Sequence, residues 1–422
     1  MANLGALASS SSIASAAAGA SLVPCWKRSG VFQPARPQQQ QARQQNGQNC
    51  ASVRCQSAAE SSSEDTSISR RAAIGGSLAL AAAAANLQAA LPAAARQVVS
   101  SDWEKVDLPV DPGVVLLDIG FTDDKHGFLL GTRETLLETK DGGRTWKQRS
   151  IEAAKDEGFN YRFNSISFNG QEGWICGKPA ILLHTTDAGE NWERVPLSAK
   201  LPGNPILVVA LPGEGGRAEM TTDQGAVYVT KNAAYSWQAA VQESVDATLN
   251  RTVSSGISGA SYYEGSFSNI QRSPAGDYVA VSSRGNFFLT WSPGQTYWQP
   301  HNRPTARRVQ NMGWTPSNSL WLSTRGGDVY LSTESGVSDK FDQAKLGSRG
   351  FGILDVGFKA NSKEGYAVGG SGTLLKTEDL GQSWKRDRST DGVAGNLYAV
   401  KFTPGGAGFI LGNDGILLRY IA

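Results

Sequence analysis

Three segments of the chain share one eight-residue pattern: TKDGGRTW (residues 139–146), TTDAGENW (residues 185–192) and TEDLGQSW (residues 377–384). Each fits the pattern S/T-x-D-x-G-x-x-W. In such a segment the Asp side chain can cap the backbone of a tight turn, and the Gly can adopt a positive φ. The closing Trp offers a large apolar surface for packing. The pattern therefore predicts a hairpin turn that recurs along the chain.

Related turns occur at a regular spacing through the rest of the chain. Each turn ends in an aromatic residue, and these residues are Trp146, Trp192, Trp237, Trp298, Phe341 and Trp384, at spacings of 46, 45, 61, 43 and 43. Three of the turns have drifted: TKNAAYSW (residues 230–237) has lost the Asp and the Gly, and the turns before Trp298 and Phe341 have also changed. A period of roughly 40 to 50 residues with four short strands is typical of β-propeller blades.

The two ends of the chain determine the number of blades. The last repeat, residues 397–422, stops after its third strand and lacks a closing aromatic residue. Near the other end, WEKV (residues 103–106) matches WERV (residues 192–195), which is the fourth strand of a repeat. We expect this N-terminal strand to complete the last blade, because closing the ring removes exposed sheet edges. The predicted fold is an all-β, seven-bladed β-propeller in residues 96–422.

The first hundred residues have the composition of targeting signals. Residues 1–55 are rich in Ser, Ala and Gln, carry basic residues and contain no acidic residue, which is typical of a chloroplast transit peptide. Residues 56–95 contain Arg70 and Arg71, then a weakly apolar run, then Ala93-Ala94-Ala95, which resembles a twin-arginine thylakoid signal and its cleavage site. The alternative is a retained membrane anchor. The Ala-rich run, interrupted by Asn86 and Gln88, is poorly suited to one.

The alternating strands A, B, C and D of each blade distribute the turns between two faces. The A–B and C–D turns form a mildly acidic face. The B–C turns and the connections from D to the next A form the other face, which we call the arginine face. Its predicted partner-binding residues are Arg133, Arg162, Arg251, Arg284, Arg303, Arg307, Arg308, Arg325 and Arg349, with Tyr262 and Tyr263 in an insertion at residues 250–265. Arg and Tyr are enriched at protein interfaces, and Arg suits carboxylate recognition. The alternative is a basic face that is merely solvated.

Other residues limit the function classes. The net charge of +2 argues against a nucleic-acid binder that works by bulk charge. No His, Cys or carboxylate spacing indicates a metal site, and Cys176 is the single cysteine of the predicted mature chain. Arg272 occupies an inner-strand position that is apolar in the other repeats, so we expect it either to form a local ion pair or to extend the basic surface inward.

The targeting signals, the repeats and two further segments, NRTVSSGISGASYYEG (residues 250–265) and SSRGNFFLTW (residues 282–291), resemble the photosystem II stability/assembly factor family of chloroplasts and cyanobacteria. This resemblance implies a non-enzymatic protein of the thylakoid lumen that needs no cofactor. It implies binding to precursor and mature D1 and to the early reaction-centre complex with D2 and cytochrome b559. We expect a monomer in peripheral contact with this membrane complex, and no nucleic-acid partner.

Two other functions are compatible with the sequence. The Asp-containing repeat also occurs in sialidases, so a sialidase-like glycoside hydrolase is one alternative. Such an enzyme needs an activated Tyr–Glu pair beside a cluster of three arginines at the channel mouth, for which Tyr262, Tyr263 and Glu264 are candidates. The other alternative is a lumenal scaffold for a different thylakoid complex.

Overall fold

The computed structural model describes residues 101–155, 158–213, 215–241, 266–347 and 351–422 of the chain. This part forms 29 strands in seven sheets, and its one helical segment is a 3₁₀ turn at Glu152–Ala154. The predicted seven-bladed β-propeller is therefore confirmed. The predicted transit peptide and twin-arginine signal lie outside the described residues. Within the described ranges, no helix is long and apolar enough to span a bilayer.

The first three blades are four-stranded antiparallel sheets, each with its strands in chain order. Blade 1 contains β2 (Leu116–Phe121), β3 (Gly127–Gly131), β4 (Leu136–Thr139) and β5 (Lys147–Arg149). Blade 2 contains β6 (Arg162–Asn169), β7 (Glu172–Lys178), β8 (Ile181–Thr185) and β9 (Glu193–Arg194). Blade 3 contains β10 (Pro205–Ala210), β11 (Ala218–Thr222), β12 (Val227–Thr230) and β13 (Gln238–Ala239).

The next three blades repeat this arrangement, and blade 6 gains a short parallel strand at its outer edge. Blade 4 contains β14 (Phe267–Arg272), β15 (Tyr278–Ser282), β16 (Phe287–Trp291) and β17 (Gln299–Asn302). Blade 5 contains β18 (Val309–Trp314), β19 (Ser319–Thr324), β20 (Val329–Ser335) and β21 (Phe341–Gln343). Blade 6 contains β22 (Lys345–Leu346), β23 (Phe351–Phe358), β24 (Gly365–Gly370), β25 (Leu374–Thr377) and β26 (Ser383–Arg386).

Blade 7 is built from both ends of the described chain. It contains β27 (Leu397–Phe402), β28 (Gly408–Gly412), β29 (Leu417–Tyr420) and, as its outer strand, β1 (Trp103–Val106). Strand β1 pairs antiparallel with β29, so the predicted closure by the N-terminal strand is confirmed. The ring of Trp103 is buried and lies 5.0 Å from the ring of Tyr366 in blade 6 and 5.3 Å from that of Tyr420. Aromatic packing thus reinforces the strand pairing that joins the two ends.

The inner strands of neighbouring blades contact one another all the way around the ring. Each of the seven inner strands carries a β-bulge against its second strand. A bulge bends a strand and re-aims the side chain that follows it. The residues that follow the bulges are Asp118, Ser165, Leu207, Asn269, Asn311, Asp355 and Ala399.

Where the residue after the bulge is polar, its side chain bonds to the next blade. Asp118 Oδ2 accepts a hydrogen bond from the Ile166 amide at 3.0 Å, and Ser165 Oγ accepts one from the Val208 amide at 3.4 Å. The three other bonds run from Asn269 Nδ2 to Asn311 Oδ1, from Asn311 Nδ2 to Leu354 O at 2.9 Å, and from the Val400 amide to Asp355 Oδ2 at 3.0 Å. At five of the seven blade junctions, the side chain that follows the bulge therefore joins the two blades.

The other two junctions are joined by ion pairs. Between blades 3 and 4, where the residue after the bulge is Leu207, Arg272 Nε lies 2.7 Å from Glu219 Oε2. Between blades 7 and 1, where it is Ala399, Lys401 Nζ lies 3.3 Å from Asp118 Oδ1. Arg272 therefore forms a local ion pair, which was one of its two predicted roles, and it sits at the end of β14 that leads to the acidic face.

The three complete turn motifs have the predicted hydrogen bonds. Asp187 Oδ1 accepts from the Asn191 amide at 2.9 Å, and the Gly189 amide donates to Thr185 Oγ1 at 3.0 Å. The hydrogen bond from the Asn191 amide contributes most to lowering the pKa of Asp187 to about 2, and burial opposes this shift. The ring of Trp192 lies 6.1 Å from that of Phe128 in blade 1, so the closing Trp packs between blades as expected.

Candidate partner-binding site

The two predicted faces exist, and backbone hydrogen bonds define them. On the arginine face, the amide of Glu134 in a B–C turn donates to the carbonyl of Tyr161, which precedes the next inner strand, at 2.8 Å. On the acidic face, the amide of Gly142 in a C–D turn donates to the carbonyl of Lys125 in an A–B turn at 2.9 Å. On the acidic face the two turns of a blade are therefore bonded to each other, and on the arginine face a B–C turn is bonded to the connection that leads to the next blade.

Five of the predicted arginines gather where blades 4 and 5 meet. A chain of backbone bonds brings their segments together: the Val309 amide donates to Gly285 O at 2.8 Å, and the Arg325 amide donates to Arg308 O at 2.9 Å. Arg303 is half-buried, whereas Arg307, Arg308 and Arg325 are exposed. We call this group the blade 4/5 cluster, and its members are Arg284, Arg303, Arg307, Arg308 and Arg325.

A smaller basic group lies where blades 1 and 2 meet. Arg133 is at the tip of the B–C turn with a φ of 59°, and its Nη1 donates to Pro112 O at 3.0 Å. Arg162 begins β6 and pairs in register with Lys178. Phe159, with half of its surface exposed, lies beside them, its ring 6.0 Å from that of Tyr161. Cationic and aromatic groups are thus available together at this junction.

Elsewhere on the described part of the arginine face, exposed acidic residues interrupt the positive charge, which the sequence did not predict. Asp107, Asp111 and Asp414 are exposed on the blade 7 side, where Asp414 Oδ1 accepts a hydrogen bond from the Gly113 amide at 3.1 Å. Blade 3 contributes Asp223, whose Oδ1 accepts from the Asn204 amide at 2.8 Å. Among the described residues, the arginines of this face are therefore concentrated at two junctions, and acidic groups interrupt the positive charge elsewhere. Arg251, Arg349, Tyr262 and Tyr263 lie outside the described residues.

A cavity of about 490 Å³ occupies the centre of the ring, and residues from all seven inner strands line it. Its charged core is Lys401 between Asp118 and Asp355. Lys401 Nζ lies 3.3 Å from Asp118 Oδ1, and the neighbouring carboxylates raise the pKa of Lys401. Burial raises the pKa of Asp355 to about 6, although Lys401 and the hydrogen bond from the Val400 amide oppose the rise. The charges of Lys401, Asp118 and Asp355 compensate one another, so we infer that these residues serve to join the blades.

Sequence reasoning missed these channel residues, although a signal was present. In most blades the polar residue that follows the bulge stands three positions before one particular inner-strand residue. In blade 1 that residue is Phe121. In blade 3 the strand register places Ala210 in the equivalent position, and the residue three positions before it is the apolar Leu207. The bulges that direct these side chains toward the next blade cannot be recognised from residue spacing, so the contacts were not predicted.

Among the described residues, the structure brings one set of potential metal ligands together, namely His126, Glu138 and Glu190. His126 Nε2 lies 2.8 Å from Glu138 Oε1. Two cations already face the carboxylates: Arg149 Nη1 is 2.7 Å from Glu138 Oε2, and Lys140 Nζ is 2.9 Å from Glu190 Oε1. The group is therefore an ion-pair network in which the positive charge comes from side chains.

A Tyr–Glu pair of the kind that a sialidase requires is present, but in the wrong surroundings. Tyr278 Oη lies 2.5 Å from Glu219 Oε2, and Arg272 is the one arginine bonded to this carboxylate among the described residues. Tyr278 is fully buried, and burial raises its pKa. A buried, neutral phenol cannot attack a substrate, so this pair supports the junction between blades 3 and 4.

Comparisons with known proteins agree with this geometry. The family described as "Photosynthesis system II assembly factor YCF48" matches residues 95–421. The chain is 62% identical over 323 residues to the chloroplastic photosystem II stability/assembly factor HCF136 of Arabidopsis thaliana, covering 76% of this chain and 79% of that protein.

Two solved structures are also similar. A structure of YCF48 bound to a D1 peptide is 41% identical with a TM-score of 0.66, covering 76% of this chain and 97% of that one. YCF48 from Cyanidioschyzon merolae is 44% identical with a TM-score of 0.67, covering 75% and 98%. Fold, repeats and similarity over three quarters of the sequence lead to one conclusion: the chain belongs to the YCF48 family of photosystem II assembly factors.

Proposed function

We propose that this protein is a non-enzymatic assembly and stability factor for photosystem II. It binds newly made or precursor D1 and keeps it competent to join D2 and cytochrome b559 in the early reaction-centre complex. The observation that carries this proposal is the solved complex of a YCF48 relative, 41% identical, with a D1 peptide. The ion-paired channel and the buried Tyr278 agree with a binding role without catalysis.

The blade 4/5 cluster is the proposed contact for D1. Its five arginines converge on one junction, and guanidinium groups bind carboxylates through paired, charge-assisted hydrogen bonds. Carboxylates on the lumenal segments of D1 are the expected ligands. The smaller group of Arg133, Arg162 and Lys178 would hold a second part of the same partner. Because propeller blades are rigid, such binding needs little reorganisation of the protein.

The proposed location is the thylakoid lumen of the chloroplast. In this proposal the transit peptide (residues 1–55) and the twin-arginine signal (residues 56–95) are removed, leaving residues 96–422 as the mature propeller. The family match begins at residue 95, which supports this boundary. N-terminal sequencing of the protein recovered from the lumen fraction tests it, and a mature chain that begins before Arg70 would contradict it.

The partner and the face can be tested together with a charge-matched pair of variants. Arg284, Arg308 and Arg325 are changed to Gln in the first variant. Arg307 is kept, because its ion pair with the buried Asp328 would be broken. The second variant removes the same charge from the acidic face by changing Arg144, Lys231 and Lys363 to Gln. The measurements are recovery of D1 with the tagged protein from thylakoids and affinity for a synthetic peptide of the D1 carboxyl-terminal tail.

We expect the first variant to recover less D1 and to bind the peptide about two- to threefold more weakly, while the second behaves like the unmodified protein. Equal loss in both variants would mean that overall charge, and not the arginine face, controls binding. Recovery of a different thylakoid complex without D1 would favour the scaffold function. Peptide affinity should also fall several-fold between roughly 0.05 and 0.3 M salt, because these contacts are charged and exposed.

A further inference from the structure

Within the blade 4/5 cluster, Arg307 is held differently from its neighbours. Its Nε lies 3.2 Å from Oδ2 of Asp328, a carboxylate with only 7% of its side chain exposed. The Asp328 amide donates to Thr324 Oγ1 at 3.2 Å, and Gln343 Nε2 lies 3.4 Å from Asp328 Oδ1. The backbone of Asp328 is therefore held by Thr324, and its carboxylate lies between Arg307 and Gln343. Because 56% of the Arg307 side chain is exposed, a ligand can reach its guanidinium group.

The guanidinium group of Arg307 lies directly over Gly326. A Cβ at Gly326 would stand 2.2 Å from Arg307 Nη1 and 2.8 Å from Cζ, closer than the atoms can approach. The same B–C turn in blades 3 and 4 has Gln224 and Arg284 at this position, each one residue before a glycine with positive φ. Gly326 has no positive φ of its own, so the backbone does not require glycine there. The missing side chain makes room for Arg307.

We propose that Asp328 and Gly326 are positioning residues that orient Arg307 to receive a carboxylate of the bound partner. This inference rests on the proposed function and deepens it. Asp328 occupies Nε, and Gly326 lets the planar group lie flat, so the terminal nitrogens are presented in a fixed orientation. A guanidinium group that is already oriented loses less conformational freedom when it forms paired hydrogen bonds. Arg307 therefore makes the main, oriented contact with the partner carboxylate. Arg308 and Arg325 attract the same partner with less defined geometry.

The decisive variant is Gly326→Ala, which removes no charge. The new methyl group meets only the flexible end of Arg307, so the fold should remain while the guanidinium group is displaced. The matched control is Gly392→Ala, because Gly392 is exposed on the same face and a Cβ there would contact nothing within 4 Å. Two forms of the D1 tail peptide serve as probes, one with its carboxylates and one with the corresponding carboxamides.

The unmodified protein and Gly392→Ala should bind the carboxylate peptide about tenfold more tightly than the carboxamide peptide. In Gly326→Ala the ratio should fall to about twofold, with the protein still folded and its melting temperature lowered only slightly by the disturbed ion pair. Arg307→Lys, which keeps the charge but lacks Nε, should give the same reduced ratio. If Gly326→Ala and Arg307→Lys both keep the full ratio, the positioning role is wrong while the proposed function stands. If the unmodified protein fails to distinguish the peptides, both are wrong.

Discussion

The C–D turns of blades 2 and 3 follow the same path with different residues. In blade 2, Asp187 accepts hydrogen bonds from the Asn191 amide and side chain, and Gly189 has a φ of 87°. In blade 3, Asn232 Oδ1 accepts from the Ser236 amide at 3.0 Å, and Ala234 takes the glycine position with a φ of 65°. The Thr that begins each turn accepts from the backbone in both. The turn thus survives the loss of two motif residues.

The difference lies in how tightly the turn is fixed and in what it displays. The carboxylate of Asp187 is charged and held by strong bonds, whereas Asn232 offers a neutral acceptor and Ala234 pays for a left-handed conformation. At the position of Glu190, blade 3 displays Tyr235 with 93% of its surface exposed. The complete motifs of blades 1, 2 and 6 therefore mark the more strongly fixed turns, and the drifted motif marks a weaker one.

The largest expected effect is on the free energy of unfolding, and it differs between two of the closing tryptophans. Trp384 of the complete motif in blade 6 is 1% exposed, whereas Trp237 of the drifted motif is half-buried and packs on Trp174 at 6.0 Å. We expect Trp384→Ala to lower the free energy of unfolding by about 3–5 kcal/mol and Trp237→Ala by less than about 2 kcal/mol. Urea denaturation followed by circular dichroism measures both. Equal losses would mean that the drifted blade is packed as tightly as the complete one.

A second prediction concerns the junction between blades 3 and 4, where an ion pair stands in for a polar residue after the bulge. Arg272→Leu should cost about 2–3 kcal/mol, because Glu219 is left as a largely buried charge whose one remaining partner among the described residues is the Tyr278 hydroxyl. The double variant Arg272→Leu, Glu219→Gln should be more stable than Arg272→Leu alone. Denaturant midpoints of the two variants decide this, and a double variant that is even less stable would contradict the explanation.

The third prediction compares the bulge residue of blade 6 with that of blade 3. Asp355 is buried and has a folded-state pKa of about 6, raised above its ordinary value, whereas Leu207 cannot titrate. A raised pKa means that the folded state binds the proton more tightly, so this stabilisation is complete below about pH 4 and is lost as pH rises through 6. Relative to Asp355→Asn, the unmodified protein should gain about 1–2 kcal/mol between pH 7.5 and pH 4.5.

The comparison for Asp355 uses urea denaturation of both proteins at each pH. Taking the difference between them removes the opposite contribution of Asp187, whose lowered pKa makes its stabilisation disappear only as pH falls below about 4. A difference that stays constant across this range would show that Asp355 is ionised throughout.

The smallest effect should come from repairing the drifted turn. Ala234→Gly should stabilise the protein by about 0.5–1 kcal/mol, because glycine adopts the positive φ without a Cβ penalty. The control Ala239→Gly lies in the exposed strand β13 and should destabilise it slightly. Thermal unfolding of the two variants measures the difference. Stabilisation by both substitutions would mean that the backbone of blade 3 is strained beyond this one residue.

The sequence predicted the architecture well because propeller repeats are local. Aromatic residues at a spacing of roughly one blade, and hairpin turns with recognisable hydrogen-bonding residues, define each sheet without long-range information. The alternation of strand direction also predicted that Arg308 and Arg325 share a face, and a backbone hydrogen bond joins these two residues in the structure. The uneven charge of the arginine face was missed, because Asp107, Asp111 and Asp414 come from connections that carry no motif.

By itself, the sequence determined the seven blades, the closure by β1 and the family. Only the tertiary structure showed how the blades are joined and which arginine is positioned. The bulge that turns Asp118 toward Ile166, the pairing of Arg272 with Glu219 and the placement of Arg307 over Gly326 each join residues from different turns, strands or blades. Such contacts depend on distances and side-chain directions that are fixed once the ring has closed, so no local pattern records them.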